Sequence, residues 1–135
     1  MNAIQFLLLS VTLFGLGALA SLFVSGRTSR GVAAFFSLLA SVSGVIAAAL
    51  TMLEGATLSQ TLLVIPPFGE LALQMDALST LLVAVISLVG IATSLYSFSE
   101  APALVSIGFF SNLFMAAMVL VVTVTNGFFF LIFWE

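Results

Sequence analysis

The sequence predicts an all-α membrane protein: four transmembrane helices plus the start of a fifth, with a short extramembrane hairpin between helices two and three. Three observations predict this. The 135 residues include only two basic and five acidic side chains, whereas a water-facing surface needs about a quarter of its residues charged. Hydrophobic types make up 63% of the chain. The few charges also cut it into apolar blocks of the length that a ~30 Å hydrocarbon core demands, about 20 helical residues.

Residues 3–24 form the first block. It has no basic leading region and is too long for a cleavable signal, so it reads as a retained transmembrane helix. Ser25 to Gly31, "SGRTSRG", follows as a short polar loop, and residues 32–53 make the second span, stopped by Glu54 and Gly55. The extramembrane segment 54–76 reads differently: Thr61 to Ile65 is β-branched and apolar, Pro66 to Gly69 is a turn signal, and Glu70 to Met75 alternates as a strand does. A hairpin is expected there. Asp76 precedes the third span, 77–96, and suits its N-cap, the carboxylate accepting from free backbone N–H groups.

Span four is placed at 102–124. Between Ala101 and Trp134 the chain has no charge, and the stretch is too long for one span. Asn126-Gly127 favours a turn, so a fifth, truncated span is placed at 128–135. Together these elements form a single transmembrane domain over residues 1–135, expected to be incomplete. Arg27 and Arg30 lie in one short loop and basic loops stay cytoplasmic. The N-terminus, the hairpin and the Asn126-Gly127 turn are then outside, and the Ser97 to Ala101 turn inside.

Several functions are excluded by composition. With no Cys and no His, the usual ligands of iron–sulfur clusters, haem and zinc are missing, so no metal, cofactor or catalytic residue is assigned to this chain. Two arginines make no nucleic-acid footprint. The partners expected are the lipid bilayer and other protein.

Within the spans, Ala40, Gly44 and Ala48 share one face of span two, and Gly15, Gly17 and Ser21 could do likewise in span one; both sets read as close helix packing. Ser79, Thr80, Ser87, Thr93 and Ser94 of span three are expected to bond back to their own helix. Asn112 cannot satisfy its amide so easily and should face a partner helix or water. Glu54, Glu70, Asp76 and Glu100 sit at span ends or in loops and read as ordinary boundary residues. Glu135 differs by position. Eight residues from Phe128, at 1.5 Å each, place it about 12 Å deep. An acid at that depth is costly unless paired, hydrated or protonated, and such residues mark ion or proton paths. The alternative is an acid that lies near water.

The segments "MDALSTLLVAVISLVGIATSLYS" (Met75 to Ser97) and "GFFSNLFMAAMVLVVTVTNGFFFLIFWE" (Gly108 to Glu135) resemble the antiporter-like proton-translocating membrane subunits of respiratory complex I, multisubunit sodium/proton antiporters and membrane-bound hydrogenases. Within that superfamily the resemblance is to the branch of hydrogenase-4 component B and formate hydrogenlyase subunit 3. Asp76, Ala77, Leu78 and Ser79 match one motif. Phe109, Phe110, Asn112, Leu113 and Phe114 match a second, and Asn126, Trp134 and Glu135 a third. The first two spans match in hydropathy only.

The resemblance implies a membrane subunit that couples electron transfer in partner subunits to proton translocation. Iron–sulfur clusters and nickel–iron or flavin centres would lie only in those membrane and peripheral partners, and the transported ion would be the proton or sodium. It implies that Glu135 lies midway through a fifth helix and pairs with a lysine on a later helix, Asn112 being a polar neighbour. It also implies a prokaryotic cytoplasmic (inner) membrane. A full family member has about fourteen core helices, so this chain is expected to be an N-terminal part. Two other readings stay open: a complete small dimeric transporter, and a structural or assembly subunit whose polar groups serve packing.

Overall fold

The structure is a computed structural model and describes residues 2–24, 27–55, 57–67, 69–99 and 105–135. In chain order these form α1 (Ala3–Phe23), α2 (Arg27–Glu54), β1 (Leu58–Ile65), β2 (Gly69–Met75), α3 (Ala77–Ser99), α4 (Val105–Thr123) and α5 (Gly127–Trp134). Among the described residues, three helical segments, Ala3–Phe23, Thr28–Glu54 and Ala77–Phe98, are long and apolar enough to cross a membrane. Ile107–Thr123 is a shorter apolar helix, and α5 is shorter again.

Helix ends follow local chemistry more than the apolar blocks. At the start of α1, Gln5 Oε1 accepts from the Asn2 N–H at 3.0 Å, which satisfies a donor that the first helical turn cannot. The segment Arg27 to Gly31, expected as loop, is helical. Arginine is a good helix former, and Ser29 Oγ donates to the Ser21 carbonyl at 2.7 Å, tying this turn to the end of α1. At 28 residues and 1.5 Å each, α2 is about 42 Å long, roughly 12 Å more than a bilayer core. The turn at Ser25-Gly26, residue Glu100 and the start of span four at residues 102–104 lie outside the described residues.

Asp76 caps α3 as its position suggests: the Ser79 N–H donates to Oδ1 at 2.7 Å. That bond, with the Ser79 side chain behind it, holds the Asp76 carboxyl below its ordinary value. Asn126 caps α5, accepting from the Phe128 N–H at 2.8 Å.

The packing is a helical bundle in which α2 touches α1, α3 and α4, α1 also packs on α4, and α5 packs on α4. Its interior mixes large groups such as Leu7, Phe14, Val83 and Met115 with Ala40, Ala47 and Ala48. Small residues let helix backbones approach closely where lipid supplies no hydrophobic drive for association.

The hairpin is present and antiparallel, pairing Leu58 with Met75 through Ile65 with Gly69, with a register shift between Thr61 and Leu63. β1 is mostly exposed, while Ala72, Leu73 and Met75 of β2 are buried. The strict alternation expected of β2 breaks at Ala72 and Leu73 because this strand has a second neighbour. Leu73 bridges Val124, and Thr125 donates to the Ala72 carbonyl from its N–H at 3.1 Å and its hydroxyl at 3.2 Å. The link between α4 and α5 thus lies along the free edge of β2.

Candidate functional site

Glu135 closes α5. Its N–H donates to the Leu131 carbonyl at 3.2 Å, so the helix runs to the acid without a break, and its side chain is exposed. The turn before it is built of aromatic rings: Phe130 and Trp134, one turn apart, stack at 6.0 Å. The acid therefore sits at the end of an apolar helix that packs along α4.

Asn112 lies elsewhere. It is 1% exposed, and its Nδ2 donates to two carbonyls, Ala33 of α2 and Gly108 one turn back, each at 3.1 Å. Its Oδ1 is turned toward α1, where a Cβ on Gly17 would lie 3.1 Å away. This oxygen has no hydrogen-bond partner among the described residues. The two sequence-selected residues do not meet: Asn112 belongs to the contact of α1, α2 and α4, and Glu135 to the outer surface of α5.

Of the four acids expected at boundaries, Glu54, Glu70 and Asp76 sit at an element end or in the hairpin, and Glu100 lies outside the described residues. Glu54 is exposed at the end of α2, and Glu70 accepts from the Thr61 hydroxyl across the hairpin at 3.4 Å. Among the described residues no three Asp, Glu, His or Cys side chains cluster.

The arrangement that sequence reading missed is the seam between α2 and α3. Ser87 of α3 presses its hydroxyl against Gly44 of α2, and Ser41 of α2 does the same against Gly90 of α3. Ser10 of α1 joins from the side, its Oγ 3.3 Å from where a Gly44 Cβ would be. Ser37 and Ser94 carry the same antiparallel register to one end of the seam and Thr51 and Thr80 to the other, each pair sharing a cleft. The signal was there in the repeated Ser-x-x-Gly of "SVSG" (Ser41 to Gly44) and "SLVG" (Ser87 to Gly90).

Hydroxyls in span three divide. Thr93 and Ser94 bond back to the Gly90 carbonyl at 3.1 and 2.6 Å, as expected. Thr80 and Ser87 do not: with Ser10 and Ser41 they are buried and without a partner among the described residues. In span one, Gly17 makes the close approach expected of it, a Cβ there meeting Phe36 Cβ at 2.6 Å, whereas Gly15 faces open space. At the Arg30 end, Ser37, Ser94, Ser97, Ser111 and Asn112 line a cavity of about 60 Å³.

Long apolar helices that bury hydroxyls and an amide between them define an α-helical membrane protein. Over 144 aligned positions, covering the whole chain, it is 35% identical to hydrogenase-4 component B of Escherichia coli K12. The chain spans about a fifth (21%) of that relative's length. No family model matches it.

Proposed function

We propose that this chain is the N-terminal part of an antiporter-like membrane subunit of a hydrogenase-type complex, in which partner subunits transfer electrons and the membrane part translocates protons. The observation that carries the reading is the 35% identity to hydrogenase-4 component B along the entire chain. In this reading α1 to α4 are four transmembrane helices, α5 begins a fifth, and the domain continues beyond residue 135. The hairpin faces outward against neighbouring subunits in a prokaryotic inner membrane.

Glu135 is the proton-carrying acid of this proposal. An uninterrupted, capped and aromatic α5 leading to Glu135 supports it, since a carboxyl carried into a bilayer on such a helix must be paired, hydrated or protonated. A lysine elsewhere in the full subunit would supply the counter-charge, and remaking that pair would shift both groups' proton affinity. Asn112, one helix away, contributes polarity to the same membrane layer.

The test is Glu135→Gln in the assembled complex reconstituted in vesicles. Proton uptake coupled to electron transfer should be lost while Glu135→Asp keeps a measurable part of it. Unchanged pumping by the Gln variant would leave Glu135 a packing residue and favour a structural subunit. Replacing the proton gradient readout by a sodium flux readout in the same vesicles identifies the ion.

A further inference from the structure

The cavity at the Arg30 end of the bundle is a polar space that the Glu135 reading leaves unused. Three helices wall it, α2 through Arg30 and Ser37, α3 through Ser97 and α4 through Ser111. Its donors divide into spent and unspent. Ser29 donates to the Ser21 carbonyl, Thr93 and Ser94 to that of Gly90, and the Asn112 amide to those of Ala33 and Gly108. The hydroxyls of Ser37, Ser97 and Ser111 form no hydrogen bond among the described residues. Ser37 is 7% exposed, yet its oxygen is not sealed off as those of Ser41 and Ser87 are, and it borders the cavity. A hydroxyl so buried and open on one side is completed by whatever fills that space.

The charge around the cavity favours one sign. Arg30 is on its wall, and among the described residues no carboxylate is. Ser29 and Ile107, also on the wall, belong to the first turns of α2 and α4. Backbone N–H groups there have no acceptor in their own helix, and the helix dipole is positive. The last turn of α3 brings one negative helix end to the same place, against two positive ends and a guanidinium. Unspent O–H donors from three helices, beside that positive charge, suit an oxyanion.

We propose that this cavity binds a phosphate group, held by Arg30 and by the hydroxyls of Ser37, Ser97 and Ser111. A volume of about 60 Å³ takes about four water-sized atoms at ~15 Å³ each, enough for the oxygens of one phosphate. The wall reaches the surface at Thr93, Ile107 and Ser111, which are exposed on apolar helices, so a phosphate that carries acyl chains can enter from the lipid side. Basic pockets between transmembrane helices on the cytoplasmic side hold anionic headgroups in this way. An anionic phospholipid and the free ion share this chemistry, and the experiment separates them. The inference does not depend on Glu135, and the two can fail separately.

The full-length subunit in nanodiscs is irradiated with a phosphatidylglycerol that carries a diazirine at the start of one acyl chain, and the labelled peptides are mapped by mass spectrometry. Label should fall on α3 and α4 around Thr93 and Ile107. Excess unlabelled phosphatidylglycerol should remove it, and the same excess of diacylglycerol should not. The double variant Ser97→Ala, Ser111→Ala should lower this label several-fold, and Arg30→Gln about tenfold or more, the worth of one charge-assisted bond. Label at Leu19 and Leu22, exposed at the same end of α1, should stay unchanged in both. The serine pair is half-buried and exposed, so its loss leaves the fold intact, and circular dichroism verifies this. Displacement by phosphatidylglycerol alone assigns the site to the lipid, and displacement by inorganic phosphate as well assigns it to the free ion; both uphold the proposal. Label that diacylglycerol removes equally, or that neither variant lowers, overturns it and leaves the cavity a crevice for lipid chains.

Discussion

Ser87 of α3 fills with its hydroxyl the place that a Cβ would take on Gly44 of α2, and one turn along the roles are exchanged between Ser41 and Gly90. The two helices thus interlock through matched pairs of a small polar residue and a missing side chain. Only antiparallel helices in this register can make both contacts at once.

Gly44→Ala should therefore destabilise the bundle by about 1–3 kcal/mol, the usual cost of overpacking a close contact. Gly15→Ala, with nothing within 4 Å of the new Cβ, should be neutral or stabilising by up to ~1 kcal/mol through helix propensity alone. Unfolding titrations in mixed micelles check the pair, and adding Ser87→Gly to Gly44→Ala should restore most of the loss.

Asn112 joins α4 to α2 through the Ala33 carbonyl. Asn112→Ala should lower stability by about 1–3 kcal/mol by removing that bond between the helices and leaving a gap where the buried amide packed. Asn112→Asp should be worse at neutral pH, because a carboxylate donates nothing and is buried with its charge. Its stability should rise as the pH is lowered and the acid is protonated, a trend that the wild-type residue cannot show.

The Asp76 cap gives α3 an acid-sensitive start. Its carboxyl is held below the ordinary value by the Ser79 N–H, so the folded state favours the ionised form. The cap's contribution is complete above the unfolded-chain value of 3.8 and is lost as the pH falls through the lower folded value. Hydrogen exchange at Ser79 and Thr80 should accelerate over that acidic range in the wild type. In Asp76→Asn, an N-cap of similar strength, the same amides should stay protected with no such pH dependence.

Leu73 is 1% exposed and lies where β2 meets Val124. Leu73→Ala should cost about 2–5 kcal/mol, as for other buried leucines. Thr125→Val, which keeps the backbone bond to Ala72 and removes only the hydroxyl bond, should cost no more than about 1.5 kcal/mol. Exchange rates at the Thr125 amide separate the two, rising strongly only in the Leu73 variant.

The course of the chain was largely legible in the sequence, because a charge or an Asn-Gly pair marks nearly every place where an apolar helix stops. Asp76 and Asn126 announce their caps by residue type. The helical turn Arg27 to Gly31 was not legible, since polarity reports the membrane boundary and not the helix boundary. β1 likewise starts at Leu58, ahead of the β-branched run that signalled it. At the candidate site, Asn112 stood out by chemistry, but its acceptor at Ala33 is 79 residues away and no local pattern points to it. The pairing of Ser41 with Gly90 and Ser87 with Gly44 needs a register between two helices that a single sequence does not print. Their shared Ser-x-x-Gly spacing is the one trace of it.

The seat of β2 on the α4–α5 link has a consequence for assembly. Ala72 and Thr125 are 53 residues apart, and both α3 and α4 lie between them. A chain threaded into a bilayer from its N-terminus makes the hairpin long before its clasp exists, and closing so long a loop carries an entropic cost that local contacts do not. The Ala72–Thr125 bonds can form only after the two later helices have folded back and brought the α4–α5 link to β2. The hairpin is thus a latch that closes only once α3 and α4 are made, and its closure records that these two helices are in place.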